Sequence, residues 1–328
     1  MRHSRLKSLA LVGLPVRVRL GAPNYVSNMK FKNKVILGDC VEVMSKLPEE
    51  SIAYCITDPP YNYEVIGKSW NNTEITRRLQ NIESKSNKTL VKNIPYGNGL
   101  SGGVRNANWY AKNRKNNIAY QKWIRTWGKE LYRVCKPGAI IAVFNSNRSV
   151  AHVQVALEKC GFYAKDCIVY RRSSGIPKGY NAEQQLKKKG LPFEDYKGWH
   201  SCLLNDWEGI VIMQKPLSNN HTETLQKFNT GLLYTKADEN CFQSNIIENI
   251  KRDKVKIVAH CTPKPLDLMK KLVQIIAIPG KNNILLDLFA GSGSTLVAAK
   301  ELGINYCGIE IESKYVDLIN SRLKGLDK

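Results

Sequence analysis

The stretch Ile284-Leu285-Leu286-Asp287-Leu288-Phe289-Ala290-Gly291-Ser292-Gly293-Ser294-Thr295 decides how this chain folds. It reads as an apolar strand, a tight glycine turn and the start of a helix running from Ser294 to Leu302. Around it, Pro265–Ile276 and Ser313–Leu323 carry helical spacing and Asn305–Ile309 is a short apolar strand. Strands alternating with helices predict a parallel, doubly wound α/β sheet. A G-x-G turn can bring a pyrophosphate to a helix N-terminus. Here, however, Leu296 takes the third glycine position, and no Gly-Lys-Ser/Thr follows to make a Walker loop. A purely structural turn is the alternative. The next strand then delivers Glu310 to its carboxyl end, roughly 20 residues on, where an acid can accept from ribose hydroxyls. Turn and acid together point to a nucleoside ligand without a diphosphate, a description that S-adenosylmethionine fits.

Working outward, the strand Ser51–Ile56 ends in Thr57-Asp58-Pro59-Pro60-Tyr61-Asn62. Read alone, this is a strand-terminating turn, because proline cannot donate to a ladder and presets its own φ. Further strands are predicted at Val35–Leu37, Ala139–Phe144, Phe162–Tyr170 and Gly209–Met213. Helices are predicted at Cys40–Leu47, at Ile118–Val134 (closed by Lys136-Pro137-Gly138) and at Val150–Cys160. Periodicity fades over 63–117, from Arg171-Arg172 to 206, and from Ser218 to Lys256.

The chain has 50 Lys+Arg against 28 Asp+Glu, a formal charge of +22. An excess of that size favours a polyanionic partner. No apolar run approaches membrane-spanning length, so no membrane partner is expected. The nine cysteines and five histidines are scattered. They form no C-x-x-C pair and no ligand-spaced cluster, which argues for a reducing, cytoplasmic setting without metal or disulfides. Residues 1–28 carry five basic residues and no acid around Leu9–Val16. A signal peptide looks similar, but Arg17 and Arg19 follow the apolar stretch directly. The expectation is a poorly ordered extension, with Met29 as an alternative start.

Asp58-Pro59-Pro60-Tyr61 and Phe289-Ala290-Gly291-Ser292-Gly293, in that order, resemble the D-P-P-Y and F-x-G-x-G motifs of the β group of DNA amino-methyltransferases. Leu37–Ile52, Arg133–Phe144 and His260–Val273 match as flanking pieces. The resemblance covers about 30–62, 118–170 and 207–325. It implies a Rossmann-like, mostly parallel sheet with circularly permuted motif order. It also implies methyl transfer from S-adenosylmethionine to adenine N6 in double-stranded DNA, by direct in-line displacement after base flipping. By resemblance Asp58, Pro59, Pro60 and Tyr61 are catalytic. Asp39, Thr262, Lys264, Asp287, Phe289, Gly291, Gly293, Thr295 and Glu310 hold the cofactor, with Thr262 and Lys264 at its methionine carboxylate. A cognate restriction endonuclease is a further candidate partner; oligomeric state is left open.

Residues 29–170, 207–216 and 257–328 are assigned to the catalytic domain, 63–117 to a DNA-clamping insert, and 171–206 with 217–256 to target recognition. Arg105, Lys112, Arg114 and Lys115, beside Trp109 and Tyr110, are candidate phosphate contacts, as are Arg171 and Arg172. A solvated basic loop is the rival reading of the first insert. Glu208-Gly209 stands where many members of the family have Glu-Pro, a departure that bears on a neighbouring loop. No cysteine follows a proline, so ring-carbon methylation is not expected, and Cys55 and Cys135 read as core. Cytosine-N4 methylation is the nearest alternative; members acting there more often have Ser at the position of Asp58. A methylase of RNA or of a protein amide, and a DNA-binding module with a dead pocket, are others.

Overall fold

The strand at Ile52–Thr57 is apolar at nearly every position, which suits a strand covered on both faces. In the computed structural model all six of its residues are buried. The structure describes residues 30–61, 107–176, 179–236, 241–251 and 263–327. The extension 1–28, Arg105 and Thr262 therefore lie outside the described residues.

The described strands are β1 (Lys34–Leu37), β2 (Ile52–Thr57), β3 (Cys135–Ser146), β4 (Tyr163–Ile176), β5 (Asn205–Gln214), β6 (Ile246–Ile247), β7 (Ile284–Asp287) and β8 (Asn305–Glu310). They form one eight-stranded sheet in the order β1-β8-β7-β2-β3-β5-β4-β6. Every described ladder is parallel except the two that β5 makes, with β3 and β4. The helices are α1 (Cys40–Ser45), α2 (Ala107–Val134), α3 (Val150–Glu158), α4 (Ala182–Lys188), α5 (His221–Phe228), α6 (Leu266–Ile276), α7 (Ser294–Glu301) and α8 (Ser313–Lys324).

Alternation along the strands divides the core in two. Ile140, Ala142 and Phe144 of β3 face α6, α7 and α8, whereas Ile141 and Val143 face α1, α2 and α3. The α2 side of that core is a stripe of Tyr120, Ile124, Trp127, Leu131 and Val134, all fully buried, at the three- and four-residue spacing of one helix face.

Several boundaries differ from the sequence reading. Helix α2 begins at Ala107 rather than Ile118. The described side chains of its first turns are mostly polar and none is buried, so no clear apolar period marks them. Helix α2 ends at Val134 as expected, but Lys136-Pro137-Gly138 already lies in β3, where Gly138 takes φ +73°. Strand β4 runs through Arg171 and Arg172 to Ile176, because β5 pairs with it that far. Strand β5 begins at Asn205, ahead of the expected Gly209, and Glu208 pairs with Ser146 and Tyr170 inside the sheet. A Cβ on Gly209 would crowd Val150 at 2.8 Å. The polar span 218–256 contains α5 and β6.

The missing third glycine of the turn is made good from the opposite side. A Cβ on Gly308 of β8 would overlap the Leu296 side chain of α7. The close helix–strand approach is therefore permitted by a glycine on the strand rather than on the helix.

Candidate active site

From β7 the chain crosses to β8, which pairs with β1; from β2 it crosses the other way, to β3. Strand order thus reverses between β7 and β2, which are paired through Tyr54–Leu285 and Cys55–Leu286. In open α/β sheets such a switch point opens a crevice beyond the carboxyl ends of the strands. Thr57 staples the two ends: its hydroxyl donates to Asp287 Oδ1 at 3.0 Å and accepts from Leu288 N at 3.2 Å. Asp58 and the glycine turn, far apart in sequence, share one edge. A separate cleft of about 410 Å³, lined by Asn33, Lys300, Tyr306 and Lys324 among others, lies at the amino ends of β1 and β8, away from both.

The β7 side is a backbone wall. Gly291 and Gly293 take φ +52° and +79°, a region in which side chains are strained. A Cβ on Gly293 would also press on Ile319 at 2.8 Å. Glu310 accepts from Gly291 N at 2.7 Å through Oε2 and from Glu312 N at 3.0 Å through Oε1. Burial pushes the Asp287 carboxyl up to about 7, against hydrogen bonds from Thr295, Phe289 N and Thr57. Phe289 packs its ring on Trp123 and Trp127 of α2, at 5.8 and 6.0 Å between centroids. Asp39 caps α1, accepting from Val41 N at 2.8 Å.

The β2 side is a cluster of charges. Lys264 Nζ lies 2.9 Å from Asp58 Oδ2, 3.0 Å from Glu208 Oε2 and 3.2 Å from the Tyr61 hydroxyl, to which it donates. The Tyr61 hydroxyl donates to Glu208 Oε2 at 3.0 Å, and Arg172 approaches Glu208 Oε1 at 3.7 Å. The ammonium also sits over the rings of Tyr61 and Phe144. Burial raises the Asp58 carboxyl above its ordinary range, with Lys264 opposing. Burial works against charge on Glu208 too, but the neighbouring Lys264 ammonium prevails and holds that carboxyl low. Asp58 Oδ1 is buried and has no hydrogen-bond partner among the described residues. Behind the loop, Asn145 Nδ2 donates to the Tyr120 hydroxyl at 2.7 Å, and that hydroxyl donates to the Pro60 carbonyl at 3.1 Å.

The structure brings Asp58, Pro59, Pro60, Tyr61, Lys264, Asp287, Phe289, Gly291, Gly293, Thr295 and Glu310 to this edge of the sheet. Arg114 and Lys115 are exposed on the first turns of α2, where Lys112 also lies. Two of these residues have partners that the sequence did not indicate. Lys264 commits its ammonium to Asp58, Glu208 and Tyr61, because a buried cation needs anionic partners. Arg172, a candidate phosphate contact, is turned inward to Glu208 and to the carbonyl of Asn205. Its neighbour Arg171 points out and pairs with Asp206 at 3.4 Å and Glu248 at 3.6 Å. Sequence reasoning missed Glu208, Tyr120, Asn145 and the Trp123–Trp127 pair. The Glu-Gly departure flagged the first; nothing local marks the others as more than core. Among the described residues no cluster could hold a metal ion, and no helix is long and apolar enough to cross a membrane.

Residues 52–321 match the N6/N4 methyltransferase family model, described as DNA methylase. The chain is 28% identical over 302 residues to the type II methyltransferase M.HindIII of Haemophilus influenzae, covering 88% of this chain and 94% of that one. In fold it is similar to TTHA0409 of Thermus thermophilus, solved in complex with S-adenosyl-L-methionine (TM-score 0.52, 19% identity, 89% and 93% of the chains). It is also similar to the cytosine-N4-specific PvuII DNA methyltransferase (TM-score 0.56, 14% identity, 88% and 85%).

Proposed function

This chain belongs to the N6/N4 DNA methylase family, and from that premise we propose that it transfers a methyl group from S-adenosylmethionine to adenine N6 in double-stranded DNA. The observation that carries this reading is the meeting of Asp58 and the glycine turn at one switch point, joined through Thr57 and Asp287.

The residues present fit the cofactor. The turn offers backbone free of side chains, and it is flanked by carboxyl groups, Asp287 accepting from Phe289 N and Glu310 from Gly291 N. Gly291, Gly293, Asp287, Thr295 and Phe289 would line its methionine and sugar side, Glu310 its ribose, and Asp39 its adenine, with Thr262 a further contact. When bound, it supplies an electrophilic methyl group.

The chain's own residues prepare the nucleophile. An exocyclic amine is weak because its lone pair is delocalised into the ring. Asp58 Oδ1 would accept one amine hydrogen and the Pro59 carbonyl the other, favouring a pyramidal nitrogen with its lone pair aimed for in-line displacement. The two prolines, and Tyr120 on the Pro60 carbonyl, hold the loop in place before substrate arrives. Tyr61, fixed by its hydroxyl, offers a ring face to an extruded base, a contact of about 1–3 kcal/mol. Residues 171–206 and 217–256 are the proposed recognition region. Arg105, Lys112, Arg114, Lys115 and Arg171 are proposed phosphate contacts, and a cognate endonuclease a further partner.

Incubation with methyl-labelled S-adenosylmethionine and plasmid DNA, followed by nucleoside analysis, tests the reading. Label in N6-methyladenine is expected. Label in N4-methylcytosine overturns the base assignment, and DNA bound without label favours the dead-pocket module.

A further inference from the structure

We infer that Lys264 is a positioning residue for methyl transfer: its ammonium holds Asp58 through Oδ2 and leaves Oδ1 as the free acceptor for the target amine. The inference rests on the amino-methyltransferase reading and reassigns a residue whose sequence context suggests the cofactor's carboxylate.

Three observations carry it. First, an ammonium has three donors, and Lys264 directs them to Asp58 Oδ2, Glu208 Oε2 and the Tyr61 hydroxyl. None remains for a further carboxylate unless one of these contacts breaks. Second, the residue is placed rigidly. Its side chain is 15% exposed, and Pro265, directly after it, is the N-cap of α6, a helix that buries Leu268, Met269, Leu272 and Val273 in the core. Third, Asp58 divides its two oxygens. Oδ2 faces the cation, whereas Oδ1 is buried and has no hydrogen-bond partner among the described residues, and a buried acceptor without a partner calls for an explanation, a catalytic role among them. An amine hydrogen is a donor of the right kind.

The charges around Asp58 make the cation necessary. Glu208 of β5 and Asp287 of β7 bring negative charge toward it, Tyr61 lies on its own loop, and Arg172 of β4 reaches only Glu208. Burial and Glu208 both raise the Asp58 carboxyl; Lys264 opposes them most, with a smaller contribution from the Tyr61 hydroxyl. Removing the ammonium must raise that carboxyl further, so a larger share of Asp58 is protonated at a given pH and cannot accept.

The test compares wild type, Lys264→Met and Lys264→Arg. It measures kcat against pH at saturating DNA and S-adenosylmethionine, and the Kd for S-adenosylmethionine by calorimetry. For Lys264→Met, kcat at neutral pH is expected to fall about tenfold or more. The acid limb moves to higher pH and the Kd stays within about threefold. Lys264→Arg restores the limb. Should Lys264→Met melt below assay temperature, Lys264→Gln, which also removes the charge, is expected to show the same displacement. An unmoved acid limb overturns the inference, as does a weakened Kd with kcat intact, which would seat the ammonium on the cofactor. A wild-type protein that transfers no methyl group instead sinks the underlying reading, and the inference with it.

Discussion

At the end of β7 the crevice is made of backbone: two left-handed glycines, an amide held by Glu310, and a turn closed by main-chain hydrogen bonds. One strand away, at the end of β2, it is made of side chains. Asp58 and Tyr61, Arg172, Glu208 and Lys264 arrive from four separate segments and neutralise one another. A backbone wall tolerates no added side chain but depends little on distant partners. A wall of charges keeps its shape only while each partner is present. Substitutions at the two ends should therefore separate cofactor affinity from turnover.

The largest effect is expected at Asp58. Asp58→Ala removes the acceptor and should lower kcat by roughly 10²–10³-fold or more, with the Kd for S-adenosylmethionine nearly unchanged in calorimetry. Equal losses in both would erase the distinction between the two ends. Gly293→Ala is the mirror experiment. It adds about 1–2 kcal/mol of left-handed strain and a methyl group against Ile319. The expected outcome is a lower melting temperature and roughly tenfold weaker cofactor binding, with kcat at saturation little altered. Tyr120→Phe removes the hydroxyl that links Asn145 to the Pro60 carbonyl. A loss of about 1 kcal/mol, or roughly fivefold in kcat, should appear without a change in cofactor Kd. Smallest is Arg171→Ala. Its side chain is 61% exposed and its two acidic partners are solvated, so thermal unfolding should register no more than about 0.5 kcal/mol. If Arg171 touches a phosphate, the salt slope of DNA binding should drop by about one.

Much of the fold could be read locally. The strand–turn–helix at Ile284–Thr295 and the apolar run at Ile52–Thr57 were recognisable because a strand buried on both faces leaves a continuous hydrophobic record. The first three turns of α2 were not, because their described side chains are mostly polar and none is buried. Nor was the role of Gly308, whose absent side chain matters only because Leu296 lands on it. In the site, Asp58 and the glycines announced themselves through proline and glycine, residues whose backbone constraints are visible in the sequence itself. Glu208 lay within an ordinary strand and Tyr120 within an ordinary helix.

By itself the sequence determined an α/β chain with a side-chain-free turn at one strand end and a rigid acidic loop at another, since backbone preference and burial pattern are properties of neighbouring residues. Which acid would pair with which base was decided only by tertiary structure. Thr57 and Asp287 are 230 positions apart, and Lys264 could meet Asp58, Glu208 or a ligand until the sheet order brought particular strand ends together. Electrostatic partnership depends on distance through space and on burial, and neither is written in the order of residues along a chain.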